Sequence, residues 1–228
     1  MSSTRRRRRR SGVALVTGFE PFAGHSLNPS AELARRLDGA VVGGVDVVGR
    51  ILPVDFARLD DAIATILSEL DPLVIVNLGL AAGEPVIRLE RVALNLAAFE
   101  IPDNAGRLVE AEALDPRAGP ALWSRLDLPR IRQALLSHGI PARLSNTAGT
   151  YLCNAAMYRF LRATSPRVPC GFVHLPYLRA QVAEMLARGG EHELGRLASM
   201  EFPTLRRAVE IVLETSLART RRKARSTP

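Results

Sequence analysis

The chain has 228 residues, 47% hydrophobic and 24% charged, which is ample material for one sizeable core, so a single large domain is expected. The formal charge of +8 points first to nucleic acid or an acidic membrane surface, but Arg5 to Arg10 carry six positive charges and Arg219, Arg221, Arg222, Lys223 and Arg225 five more, leaving −3 for the body between them. The basicity belongs to two solvated ends; no run approaches the roughly 20 apolar residues of a membrane span, and no aromatic-basic interleaving marks a nucleic-acid module.

Residues 1–11 read as a disordered basic leader, 12–218 as the folded domain and 219–228 as a basic tail. The start imitates a secretory signal, yet its apolar run, Val13 to Val16, is short and is followed by Gly18, Glu20 and Pro21. That run opens a first strand, Val13 to Thr17. Asn28 suits an N-cap and Pro29 the first helical position, so a helix is expected from there to near Leu37. A strand at Val45 to Leu52 follows, then a helix at Phe56 to Leu70 stopped by Asp71-Pro72, and a strand at Leu73 to Leu78. Val92 to Leu96 reads as a strand, and Phe99 to Pro116 as a long irregular stretch of the kind that lines sites. Pro120 to Ser137 reads as a helical region broken at Pro129 and closed by Gly139. A strand at Ala142 to Ser145, a helix at Cys153 to Ala163, a strand at Gly171 to Leu175 and helices at Ala180 to Arg188 and Pro203 to Arg219 complete the order.

Apolar strands alternating with helices imply an α/β fold: a single-domain three-layer α/β/α sandwich around a twisted, mostly parallel or mixed sheet. In such sheets binding residues gather at strand ends and the loops that follow. Four such places are Gly18 to Asn28, Gly79 to Glu90, Gly149 to Cys153 and His174 to Tyr177. The two cysteines, Cys153 and Cys170, have no C-x-x-C pairing, which offers no disulfide framework and fits a reducing cytoplasm.

Cys153 follows a Gly-bearing turn and opens a helical segment, where free N–H groups and the helix dipole favour the thiolate. The alternative is a buried cysteine acting as a small hydrophobe, which is the reading for Cys170. Of the four histidines, His25, His138 and His192 have structural readings in a loop, a helix end and an exposed turn. His174 ends an apolar run, and an imidazole at a strand end can be held firmly while one nitrogen faces a cleft, so a catalytic and a structural reading both stand for it. Glu90, within Leu89-Glu-Arg-Val-Ala93, stands at the entrance to a strand; its other reading is an ion pair with Arg88 or Arg91.

Several ordered blocks resemble the pyroglutamyl peptidase I family, the C15 cysteine peptidases, from about Val13 to Gln181. They are Thr17-Gly-Phe-Glu-Pro-Phe22, Asn28-Pro-Ser30, Glu90-Arg-Val-Ala93 with Asn95, Ile101-Pro-Asp-Asn104 with Gly106, Ser145-Asn-Thr-Ala-Gly-Thr150, Cys153-Asn154 and Gly171-Phe-Val-His174 with Pro176-Tyr177. The resemblance implies a Glu90, Cys153 and His174 triad that hydrolyses the amide after an N-terminal pyroglutamyl residue through a thioacyl-enzyme. It also implies Phe19 and Phe22 flanking the substrate ring, with Asn28, Leu80 and Tyr151 around it. Small peptides with N-terminal pyroglutamate are the implied partners, no metal or organic cofactor is implied, and the family often forms homotetramers.

The chain departs from the family pattern at Leu80, Glu84 and Glu100, where relatives usually carry Gln, Arg and Arg, and Tyr151 stands where Phe is usual. Those departures leave room for a hydrolase with the same triad acting on another small amide or acyl group. A noncatalytic binder of acidic partners, using the two basic ends, is the reading from a different class.

Overall fold

The computed structural model describes residues 10–189 and 197–225, and the alternation of side chains along its central strands sets the layers. Strand β1 (Arg10–Phe19) turns Ala14 and Val16 to one face and Val13 and Leu15 to the other, all buried. Strand β4 (Leu70–Leu80) repeats the pattern, with Val74, Val76 and Leu78 on the first face and Ile75 on the second. A strand apolar on both faces must be covered on both, which is why each reads as a continuous apolar run.

The seven-stranded sheet has the order β2-β3-β1-β4-β9-β5-β8. Its other members are β2 (Val41–Val42), β3 (Val45–Leu52), β5 (Ile87–Glu90), β8 (Ala142–Ser145) and β9 (Cys170–Leu175). β1 runs parallel to β3 and β4, and β9 parallel to β4, whereas β5 runs antiparallel to β9 and parallel to β8. With β2 antiparallel to β3, the sheet is mixed. Helices α1 (Pro29–Leu37), α3 (Leu128–Ser137) and α6 (Phe202–Arg225) cover the first face, and α2 (Phe56–Glu69) and α4 (Leu152–Ala163) the second. The α/β fold with three layers is therefore present as expected.

Local chemistry starts these helices. The Asn28 side chain accepts from the Ser30 N–H with Pro29 at the first position, and Asp55 accepts from the N–H groups of Ala57 and Arg58. Several element bounds differ from the sequence reading. The second helix ends at Glu69, within a residue of the expected Leu70, but Asp71-Pro72 does not separate it from the next strand: α2 passes directly into β4, and Pro72 lies within that strand. Its missing N–H faces an irregular stretch of β1, where the register with β4 shifts around Gly12, at φ 76°. Val92 to Leu96 is not one strand of the main sheet. The central strand is β5, just before it, and β6 (Val92–Leu94) pairs antiparallel with β7 (Ala121–Trp123). The start of the expected helical region at Pro120 is thus a strand, and the helix begins at Leu128 with Pro129 in its first turn. β1 begins at Arg10, inside the expected leader, and α6 continues to Arg225 through most of the expected tail; residues 1–9 and 226–228 lie outside the described residues. At one edge α5 (Arg179–Ala187) packs by β10 (Tyr177–Leu178) and β11 (Ser199–Met200).

Glycine permits the closest helix-to-sheet approach. A Cβ at Gly49 in β3 would lie 1.9 Å from the Ala34 carbonyl oxygen in α1, a backbone atom that cannot swing aside. Gly49→Ala is expected to destabilise the fold by about 3 kcal/mol, read as a lower urea midpoint at unchanged slope.

Candidate active site

The same alternation that builds the core selects which side chains meet. Ile87, Leu89, Val173 and Leu175 fill the first face, so Arg88, Glu90 and His174 project on the second, toward α4. In the antiparallel register Arg88 lies opposite His174, and Glu90 opposite Phe172, which makes Glu90 the diagonal neighbour of His174. Nδ1 of His174 lies 2.8 Å from Oε1 of Glu90, and both side chains are buried. A carboxylate accepts, so Nδ1 carries the proton and Nε2 is left with its lone pair. Glu90 also forms an ion pair with Arg88, whose Nε is 3.1 Å from Oε1.

Cys153 is the second residue of α4, following the N-cap Tyr151, which makes no side-chain cap hydrogen bond. The first-turn N–H groups are therefore left without that partner beside the thiol. A Cβ at Gly79 would fall 2.9 Å from Cys153 Sγ and 2.7 Å from Cζ of Phe172, so the absent side chain makes room for the thiol. Gly79 is the register partner of His174 across β4 and β9, which places thiol and imidazole over the same point of the sheet.

The helix start was expected to favour the thiolate, and here the structure differs. Burial pushes the Cys153 thiol up to about 12, and the negative charge of Glu90 adds to it; the residue's own N–H and Arg88 act in the opposite direction. Desolvation thus outweighs one helix turn and favours the neutral thiol. Cys170, at the head of β9, is fully buried and pushed up to about 12 chiefly by burial, as a packing cysteine is.

All five residues expected around a substrate line one small pocket with Cys153: Phe19, Phe22, Asn28, Leu80 and Tyr151, joined by Val54 and Leu152. Its volume is about 220 Å³ including the mouth, and its walls are almost wholly apolar. Phe22 stacks at a tilt on Tyr151 at 6.0 Å, and Tyr151 meets Phe99 edge-on at 4.7 Å while its hydroxyl donates to the Pro102 carbonyl. The irregular stretch after Phe99 thus braces the pocket wall from behind. The Asn28 oxygen is committed to Ser30, and its Nδ2 donates to the Glu20 carbonyl at 3.1 Å. Val54 and Leu152 escaped the sequence reading because an aliphatic residue beside a turn carries no signal of what it lines.

Glu84 and Glu100 fall outside the pocket. Glu84 makes two hydrogen bonds with Arg143, at 2.9 and 2.8 Å, which hold its carboxyl below the usual range. Glu100 is exposed beside Phe99. His138 caps α3, with Nδ1 2.8 Å from the Ala134 carbonyl, and the His25 ring lies edge-on to Tyr177 at 5.6 Å; His192 is outside the described residues. A larger cleft between α2 and α4, lined by Asp60, Asp115, Arg159 and Arg162, does not border Cys153. Among the described residues no group of three His, Cys, Asp or Glu side chains gathers as metal ligands, and no helix is long and apolar enough to cross a membrane.

A thiol at a helix start, an imidazole held by a buried carboxylate and a small apolar pocket on an α/β sheet are the equipment of a cysteine hydrolase. The model of the pyroglutamyl peptidase family, Peptidase C15, matches residues 13–219, beyond the stretch of resemblance and into α6. The pyrrolidone-carboxylate peptidase of Pyrococcus furiosus is 38% identical over 207 residues, covering 89% of this chain and 99% of that one. The pyrrolidone-carboxylate peptidase of Escherichia fergusonii is 40% identical over 208 residues, covering 90% of this chain and 92% of that one. A mutant pyrrolidone carboxyl peptidase from P. furiosus superposes with a TM-score of 0.84 at 37% identity, covering 91% of this chain and 99% of that one. The chain belongs to the pyroglutamyl peptidase family and is an enzyme of that type.

The raised thiol pKa has a direct readout. Alkylation of Cys153 by iodoacetamide, followed by mass spectrometry, is expected to rise about tenfold per pH unit from pH 7 to pH 10, because the reactive thiolate stays a minor species. A rate already at its plateau by pH 7 would show a preformed thiolate instead.

Proposed function

We propose that this protein removes N-terminal pyroglutamate from peptides, with Cys153 as nucleophile, His174 as base and acid, and Glu90 as the group that orients His174. The observation that carries the assignment of roles is the 2.8 Å bond from His174 to Glu90, with Cys153 Sγ seated on Gly79, the register partner of His174. Sγ attacks the carbonyl carbon of the pyroglutamyl amide while its proton passes to Nε2 of His174. The oxygen of the tetrahedral intermediate is served by uncapped N–H groups at the head of α4. Collapse breaks the C–N bond, and the departing amine takes the proton from Nε2. Water then attacks the thioester, giving a proton to Nε2; breaking the C–S bond returns that proton to Sγ and releases pyroglutamate.

The pocket supports this substrate. Pyroglutamate is a small uncharged lactam, and its ring matches in character the apolar walls made by Phe19, Phe22, Leu80 and Tyr151. Proline has a ring of the same size but carries a protonated amine, and the pocket lining contains no carboxylate to receive it. Leu80 keeps the floor apolar and the Asn28 amide is engaged by Ser30 and Glu20, so recognition of the lactam's polar atoms falls to backbone groups. The two cysteines are both free, which supports a cytoplasmic location, and the family resemblance supports assembly as a homotetramer, to be read by sedimentation velocity. The binder of acidic partners has no support beyond the charge of the two ends.

Wild-type protein in reductant is expected to hydrolyse a pyroglutamyl aminomethylcoumarin amide, and the prolyl amide at least about a hundredfold less well. Cys153→Ala is expected to lose on the order of 10⁴-fold or more in kcat, with the fold retained by circular dichroism. Turnover surviving in Cys153→Ala would remove the assigned nucleophile.

A further inference from the structure

Arg88 lies outside the expected triad and outside the pocket, yet it touches the acid at the centre of the site. Its Nε is 3.1 Å from Oε1 of Glu90, the same oxygen that receives the Nδ1 proton of His174 at 2.8 Å. The rest of its guanidinium is tied down: Nη2 donates to Ser145 Oγ at 3.0 Å and to the Thr147 carbonyl at 3.3 Å. Nη1 lies 3.8 Å from Oε2 of Glu84, and Glu84 is held by Arg143. Charges alternate in sign along the row Arg143, Glu84, Arg88, Glu90, and the row ends on the imidazole.

Glu90 is 0% exposed; its Oε2 has no hydrogen-bond partner among the described residues, and Arg88 Nε, within ion-pair distance of Oε1, makes no hydrogen bond either. A carboxylate so placed needs a counter-charge, and a neutral imidazole N–H does not supply one. If His174 were the sole partner, Glu90 would hold it as imidazolium and remove the base that the thiol requires. Arg88 meets the charge from the strand position facing His174.

We propose that Arg88 is a positioning residue for peptide hydrolysis: as an ion-pair partner it offsets the charge of the Glu90 carboxylate so that Glu90 orients His174 without trapping its proton, while Glu84 and Arg143 set the charge Arg88 presents. The inference rests on the peptidase reading of Cys153, His174 and Glu90. The charged or titratable groups around His174 are Glu90 and Arg88 from β5 and Cys153 from α4, followed by Glu84 from the loop after β4 and Arg143 from β8.

The sign of the effect separates this role from simple structural damage. Without the charge of Arg88, Glu90 draws a proton to His174 unopposed, so the acid limb of the pH profile of kcat/KM moves to higher pH. Without the charge of Glu84, both its direct attraction for a His174 proton and its restraint on Arg88 are lost, and the limb moves to lower pH.

The test measures these profiles on the pyroglutamyl coumarin amide for wild type, Arg88→Met, Arg88→Lys and Glu84→Gln, alongside imidazole NMR titration of His174, which needs no turnover. Arg88→Met is expected to shift both readouts upward by about one unit, Glu84→Gln downward by about half a unit, and Arg88→Lys to restore most of the wild-type position. Folded Arg88→Met and Glu84→Gln proteins that leave both readouts unmoved, or move them in the same direction, overturn the inference. If Arg88→Met does not fold, the downward shift in Glu84→Gln and the near-native position of Arg88→Lys decide it. A wild type that leaves the amide uncleaved would sink the peptidase reading, and the His174 titrations would still decide whether Arg88 acts through Glu90.

Discussion

One antiparallel pairing, β5 against β9, holds the acid and the base in register within a sheet whose central strands otherwise run parallel. It sets Glu90 diagonal to His174 and Arg88 directly across from it, on the face that α4 covers. Because side chains alternate with a period of two, the same strands send Ile87, Leu89, Val173 and Leu175 into the opposite core. A slip of one residue would exchange the two sets, putting ionisable groups into the apolar layer between the sheet and α3 and α6. The register of the site is thereby protected by the packing of the other face.

The second requirement is close contact between α4 and the sheet. Gly79 and Phe172 form the surface on which Cys153 rests, and the thiol is enclosed tightly enough that burial outweighs the helix start in setting its protonation. A neutral thiol must give up its proton as it attacks, which is work for an adjacent unprotonated imidazole nitrogen. The hydrogen bond from Nδ1 to Glu90 leaves Nε2 in that state. Burial of the Cys153 thiol and orientation of the His174 imidazole are therefore set by the same packing of α4 on the sheet.

Around that device the pocket is built from residues whose first duty is structural. Asn28 caps α1, Phe19 ends β1 and packs at a tilt on Phe172, and Tyr151 is the N-cap residue of α4. Its walls are consequently as rigid as the elements that supply them. An apolar pocket lined by such elements disfavours charged groups, which would lose their hydration on entering it.

Much of this was legible in the residues taken in order. The apolar runs of β1, β3, β4, β8 and β9 identified an α/β sheet, because a strand covered on both faces has no polar positions to spare, and Asn28-Pro29 marked a helix start by local hydrogen bonding alone. Ordered motifs picked out Glu90, Cys153 and His174. What stayed hidden was decided by partners distant in the chain. Strand β5 is hidden in Ile87 to Glu90 because four residues, two of them charged, are too few to show a period, and β7 is likewise too short before it pairs with β6. The protonation of Cys153 depends on enclosure by Gly79 and Phe172 and on the charge of Glu90, none of them its neighbours in sequence. Sequence alone determined the alternating elements and the identities of the chemical groups, since those follow from local pattern and side-chain type. Tertiary structure alone decided which groups meet, which are desolvated and which charges answer one another, since burial and electrostatic coupling belong to the packed molecule.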